Sequence, residues 1–177
     1  MLPCVTRSRS PIVACLLVVV ACVVSACASQ PASTPPITPG TAAAPREVNI
    51  VARDYAFAPP IVDLAPGETV VLHVVNGGVV VHEVVIGDAA VQAAWEAAQA
   101  AAADPPPGPT PAVSVPPGVA GLRVVVESGQ RADLTWTVPA DASGSWFVGC
   151  HIPGHWALGM VVPVRLVGPD GRPLSDG

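Results

Sequence analysis

The sequence predicts an all-β protein, a Greek-key β-sandwich interrupted by one Ala-rich helical and Pro-rich insertion. Three observations carry this. Short β-rich runs recur between turn residues from Glu47 onward, and frequent short strands build antiparallel sandwiches. Pro and Gly number 22 and 16 in 177 residues, far above what a helical bundle carries. Only one segment has the composition of a helix, whereas a parallel α/β sheet needs helices between its strands.

The strands are expected in order. Residues 48–53 (VNIVAR) alternate apolar and polar, and residues 61–64 form a short run. Residues 69–75 (TVVLHVV) are rich in β-branched side chains and end at Asn76-Gly77-Gly78, a turn cluster. Residues 79–86 (VVVHEVVI) follow, then 122–127 (LRVVVE) and 132–138 (ADLTWTV). Residues 145–150 and 160–167 close the set. Between the fourth and fifth of these runs lies the insertion, residues 89–117. Its first part, AAVQAAWEAAQAAAA, consists of good helix formers behind Asp88 as N-cap. Val91, Trp95, Ala98 and Ala102 give it a thin apolar stripe. The second part, DPPPGPTPAVSVPP, breaks the helix and is expected to run extended.

Ahead of the sandwich the chain reads as an address. Arg7 and Arg9 precede a 14-residue apolar run from Pro11 to Val24. A membrane span needs roughly 20 residues, so the run fits the apolar region of a secretory signal, residues 1–26. Val24-Ser25-Ala26-Cys27 resembles the lipobox of bacterial lipoproteins. That resemblance implies cleavage before Cys27 and lipid on its thiol; an ordinary secretory signal is the alternative. Residues 27–46 hold many prolines and no apolar periodicity, the composition of an extended tether. The sandwich then spans residues 47–168, with 169–177 as a tail. The protein is expected on the extracytoplasmic face of a bacterial membrane, anchored by lipid, or secreted if Cys27 is not used.

Charge and cysteine usage narrow the function. All eight basic residues are Arg, and they are scattered against thirteen acids. Nucleic-acid binding needs a clustered positive face, so that class is excluded. With 51% hydrophobic residues the chain is no acidic disordered polymer. Of five cysteines, Cys4, Cys15 and Cys22 lie in the signal and Cys27 would carry lipid. Cys150 is then alone in the folded part. Thiols outside the cell normally pair, and metal ligation is one of the better reasons for an unpaired one.

The chemistry sits in Cys150-His151-Ile152-Pro153-Gly154-His155-Trp156-Ala157-Leu158-Gly159-Met160. A hairpin turning at Pro153-Gly154 can bring a thiolate, an imidazole and a thioether around one point. A fourth donor must come from elsewhere, and the chain offers only His73, His82, His151 and His155. His82 lies on a strand able to approach the hairpin. Two imidazoles, a thiolate and a weak axial thioether form the donor set of a blue-copper electron-transfer site.

These residues resemble the cupredoxins, the plastocyanin and azurin superfamily. Cys-x4-His-x4-Met at 150, 155 and 160 is similar to the cupredoxin ligand loop, and residues 82–87 (HEVVIG) to its upstream ligand strand. Residues 54–59 and 65–70 resemble its N-terminal strands. The resemblance implies one type 1 copper ion, with His82, Cys150 and His155 as equatorial ligands and Met160 as the axial one. It also implies redox partner proteins and electron exchange through the edge of His155, with Pro153, Trp156, Ala157 and Leu158 as an apolar docking rim. In several cupredoxins an Asn follows the upstream His and helps orient the sulfur. Here Glu83 stands in that place, and an ionised carboxylate cannot donate a hydrogen bond.

Rival readings are a surface copper carrier or scavenger using the same ligands, and a copper-free binding module that uses the insertion. A multicopper oxidase fails on ligand count: Gly149 replaces the first flanking His, and four His cannot build a trinuclear centre as well. His151, next to Cys150, is expected to point to the opposite face in a structural or surface role. His73 is expected to face a polar partner or solvent, and Trp136 and Trp146 to be core.

Overall fold

The computed structural model describes residues 36–103 and 113–174. The signal, Cys27, the first part of the tether up to residue 35 and the most Pro-dense part of the insertion lie outside the described residues. Among the described residues nine strands form two sheets. The first holds β2 (Ala56–Ala58), β1 (Arg46–Arg53), β4 (Thr69–Asn76) and β7 (Arg131–Thr137) in that order. The second runs β3 (Val62–Leu64), β9 (Val161–Leu166), β8 (Trp146–Gly149), β5 (His82–Asp88) and β6 (Leu122–Val126). The β1/β4 and β3/β9 pairs are parallel and the others antiparallel.

Alternation places the core. Val48, Ile50 and Ala52 of β1 and Val70, Leu72 and Val74 of β4 point inward. They meet Val84, Ile86, Val148, Val162 and Val164 of the other sheet. Strand β5 departs from alternation, with six consecutive buried residues from His82 to Gly87. Its second face is covered by α1 (Ala89–Ala103), and Val85 joins Val91 and Trp95 in a small second core. A strand buried on both faces reads as a continuous apolar run, as residues 84–86 do; Glu83 is the buried exception.

The helix starts where expected: Asp88 Oδ1 accepts the Val91 N–H at 2.9 Å. Its inner face differs from the expected stripe. Gln92 and Gln99 are buried beside Val91 and Trp95, while Ala98 and Ala102 are only half-buried.

Residues 79–81 also differ from expectation: they bend outside the sheet, and Val79 is 83% exposed. Side chains hold this loop in place of a ladder. Asn76 donates to the carbonyls of Val80 and Val126 and accepts the Gly78 N–H; Asp54 accepts the Val79 N–H. At the opposite end, Glu68 is 3% exposed and ties three segments together. It pairs with Arg46 and accepts the N–H groups of Gly40 and Ala65.

Candidate metal centre

Strand β5 ends the loop crossing from β4 with His82, and β8 delivers Cys150 from the neighbouring strand. The segment 150–160 then winds into successive turns. His155 N–H donates to the Ile152 carbonyl at 2.9 Å, and Gly159 N–H to Trp156 at 2.9 Å. The loop closes through backbone bonds of 3.1 Å from Cys150 N–H to the Met160 carbonyl and from Met160 N–H to the His155 carbonyl. Gly154 takes φ 90°, which the turn after Pro153 requires and which side chains rarely adopt.

The structure brings His82, Cys150 and His155 together: one potential ligand atom from each lies within 4.8 Å of the others, and all three residues are buried. Cys150 Sγ is 3.3 Å from His155 Nδ1. Met160 is fully buried at the end of the same loop. His82 Nε2–H donates to Asp54 Oδ1 at 2.7 Å, which leaves Nδ1 as the lone-pair nitrogen. That Nδ1 is the one buried side-chain N or O atom without a partner among the described residues. A buried polar atom left unpaired is costly, and a metal ion bonded to it removes the cost. The residues therefore fit a soft-to-borderline metal bound by two imidazoles and a thiolate.

Burial sets the protonation of the metal-free site. It pushes the Cys150 thiol up to about 11 against an ordinary 9.0, with the nearby charge of Glu83 adding to the effect. Backbone N–H groups of Glu83 and Ile152 pull the other way by bonding the sulfur. These amides supply the donors that a Glu after the upstream His cannot provide from its side chain. His155 is lowered from its usual value, first by burial and then by the proximity of His82. In the metal-free protein the folded thiol titrates above the unfolded one. Its contribution to stability is thus fully present below about pH 9 and is lost as pH rises through about 11. Thermal unfolding between these limits is expected to show a loss on the order of 2 kcal/mol that Cys150→Ala removes.

Asp54 and Tyr55 belong to the site as well; their segment was expected as a family-like strand and not as part of the site. The Asp54 carboxyl is held below its usual range, first by the Val79 N–H, and its hydrogen bond to His82 acts in the same direction. Tyr55, the single Tyr of the chain, lies edge-on to His155 at 4.7 Å between ring centroids and to His82 at 6.1 Å. Replacing Asp54 with Ala is expected to weaken metal affinity by about 10–100-fold through loss of His82 orientation, read by competition against a chelator.

The apolar rim is present in part. Pro153, Ala157 and Leu158 are exposed, Leu158 by 61%. Trp156 is turned inward instead, stacked on His151 at 4.8 Å and 15°. It also covers Gly149, where an added Cβ would stand 2.5 Å from the indole. His151 is buried and structural, with Nδ1 2.8 Å from Glu96 and Nε2 2.7 Å from Gln92. His73 faces Asp133 and Arg131, as a polar partner was expected. Trp146 is buried, and Trp136 is half-buried against the core.

Comparison with known proteins places this architecture. Auracyanin from Roseiflexus castenholzii superposes with a TM-score of 0.54 at 22% identity, covering 68% of this chain and 96% of that one. Auracyanin A from Chloroflexus aurantiacus, a "blue" copper protein, gives 0.54 at 22% identity over 70% of this chain and 99% of the other. Auracyanin B gives 0.52 at 24%, covering 76% and 96%. The fold is that of the cupredoxins. In sequence the chain is 30% identical over 144 residues to the copper-resistant cuproprotein CopI of Pseudomonas aeruginosa, covering 68% of this chain and 75% of that protein. It is 34% identical over 132 residues to CopI of Rubrivivax gelatinosus, covering 73% and 72%. The chain belongs to the CopI family of cupredoxin-like proteins. No family model matches it.

Proposed function

We propose that the protein binds one type 1 copper ion and carries single electrons outside the cell membrane. His82, Cys150 and His155 are the equatorial ligands and Met160 is the axial one. The observation that carries this is the buried cluster of two imidazoles and a thiol, with His82 Nδ1 aimed inward and unpartnered. Copper bound there supplies a one-electron Cu(II)/Cu(I) couple, since thiolate and thioether suit Cu(I) and imidazole suits both states.

The chain's part is to hold one geometry for both oxidation states. Neighbouring strands of one sheet fix His82 and Cys150, and the closed loop fixes His155 and Met160. The four ligand side chains are themselves buried, which limits water at the site, and we read the protein as a carrier with no substrate turnover of its own. Exposed Pro153, Ala157 and Leu158 beside His155 offer a small apolar surface, suited to a weak and transient redox partner. Among the described residues no helix is long and apolar enough to cross a membrane. The lipobox-like residues before Cys27 support a lipid anchor, with the Pro-rich stretch as tether. Cys27→Ser is expected to move the protein from the membrane fraction to the soluble one.

The test is repeated reduction and reoxidation of the copper-loaded protein. Colour that bleaches and returns with copper retained supports the carrier of electrons. A second reading, a copper scavenger in metal resistance, draws on the names of the CopI relatives. It predicts rapid copper loss to an acceptor on reduction.

A further inference from the structure

We propose that helix α1 of the insertion is an outer part of the metal centre, bracing the Cys150 segment through the buried carboxylate of Glu83. This rests on the copper reading above for its electronic consequence, though not for its mechanical one.

The placement follows from strand geometry. On β5, His82 points into the sandwich, so Glu83 points to the opposite face, toward α1. Glu83 is completely buried. Its Oε1 accepts the His151 N–H at 2.9 Å, one residue beyond the thiol. Its Oε2 accepts from Arg123 Nε at 2.7 Å and from Gln99 Nε2 at 3.1 Å. Arg123 in turn lies over the Trp95 ring at 4.6 Å.

The helix answers with a polar row. Gln92, Glu96 and Gln99 stand at i, i+4 and i+7, one face of a helix. Gln92 Nε2 faces the carbonyls of Val85, Gly87 and Phe147 at 3.0–3.3 Å, and its Oε1 meets His151 Nε2. Glu96 meets the other nitrogen of that ring. A helix that only covered the sheet would gain more from apolar residues there, because burying amides costs energy unless they are bonded. Here the buried amides meet β5, β8, Glu83 and His151, so both ring nitrogens and the backbone N–H of His151 are held by α1 or by a residue that α1 holds.

Two consequences follow. The carboxylate places negative charge behind the thiolate, which favours the more positive oxidation state of a metal there. The network also fixes the backbone beside Cys150, as outer partners fix ligands elsewhere.

Glu83→Gln and Gln99→Leu in the full chain separate the two. With copper bound, Glu83→Gln is expected to raise the Cu(I)-to-Cu(II) affinity ratio about tenfold, an increase in reduction potential of about 59 mV. Without metal, Gln99→Leu is expected to speed hydrogen exchange of the His151 amide by about tenfold, with β1 and β4 unchanged. A wild-type potential in folded, coloured Glu83→Gln overturns the electrostatic role. Unchanged His151 exchange in Gln99→Leu overturns the brace, and that measurement stands if Glu83→Gln does not fold. A wild-type protein that takes up no copper defeats the copper reading alone, since the exchange result needs no metal.

Discussion

Cys150→Ser is expected to abolish intense visible absorption in the copper-loaded protein and to weaken copper affinity by at least about 100-fold, beyond what loss of an outer partner costs. The colour of a type 1 site arises from the bond between copper and a thiolate, which a hydroxyl does not reproduce. Cys150 is the one cysteine among the described residues, so no neighbouring thiol can replace it. The fold should survive. The side chain is small, and its backbone bond to Met160 is independent of the sulfur. Titration with Cu(II) followed by absorption, with far-UV circular dichroism as the control for folding, reads both effects.

Glu68→Ala is expected to cost about 3–5 kcal/mol of stability, because removing one member of a buried pair leaves the other uncompensated. Arg46 would lose both carboxylate contacts, of 3.0 and 2.6 Å, and keep only its bond to the Asp63 carbonyl. The N–H groups of Gly40 and Ala65 would lose their acceptor as well. For a domain of this size the melting temperature should fall on the order of 10–20 °C. Glu68 lies in the turn leading into β4, away from the metal ligands. The folded fraction of the variant should therefore bind metal as the parent does.

The two effects arise at sites that were not equally readable. Cys150, His155 and Met160 stand within one short loop, so their spacing alone suggested a common centre. His82 could be reached because the chain has so few histidines. The alternation of β1, β4 and β7 pointed to the sandwich, since successive residues of those strands alternate between a more and a less buried face. What escaped depends on packing between elements distant in the chain. Residues 79–81 are β-branched, yet the side chains of Asn76 and Asp54 hold their backbone outside the sheet. Gln92 and Gln99 read as good helix formers, and nothing local shows that both would be buried against β5 and β8. Trp156 sits among loop residues that face solvent, but the space left by Gly149 and the ring of His151 draw it inward. Asp54 and Tyr55 reach the site only because the two sheets stack.

X-ray absorption at the copper edge, taken on the oxidised and the reduced protein, examines the shared coordination most directly. One short sulfur contact with two imidazole nitrogens, nearly unchanged between the two states, is the expected result. A shell of nitrogen and oxygen alone, or one that rearranges on reduction, would contradict a rigid site built from His82, Cys150 and His155.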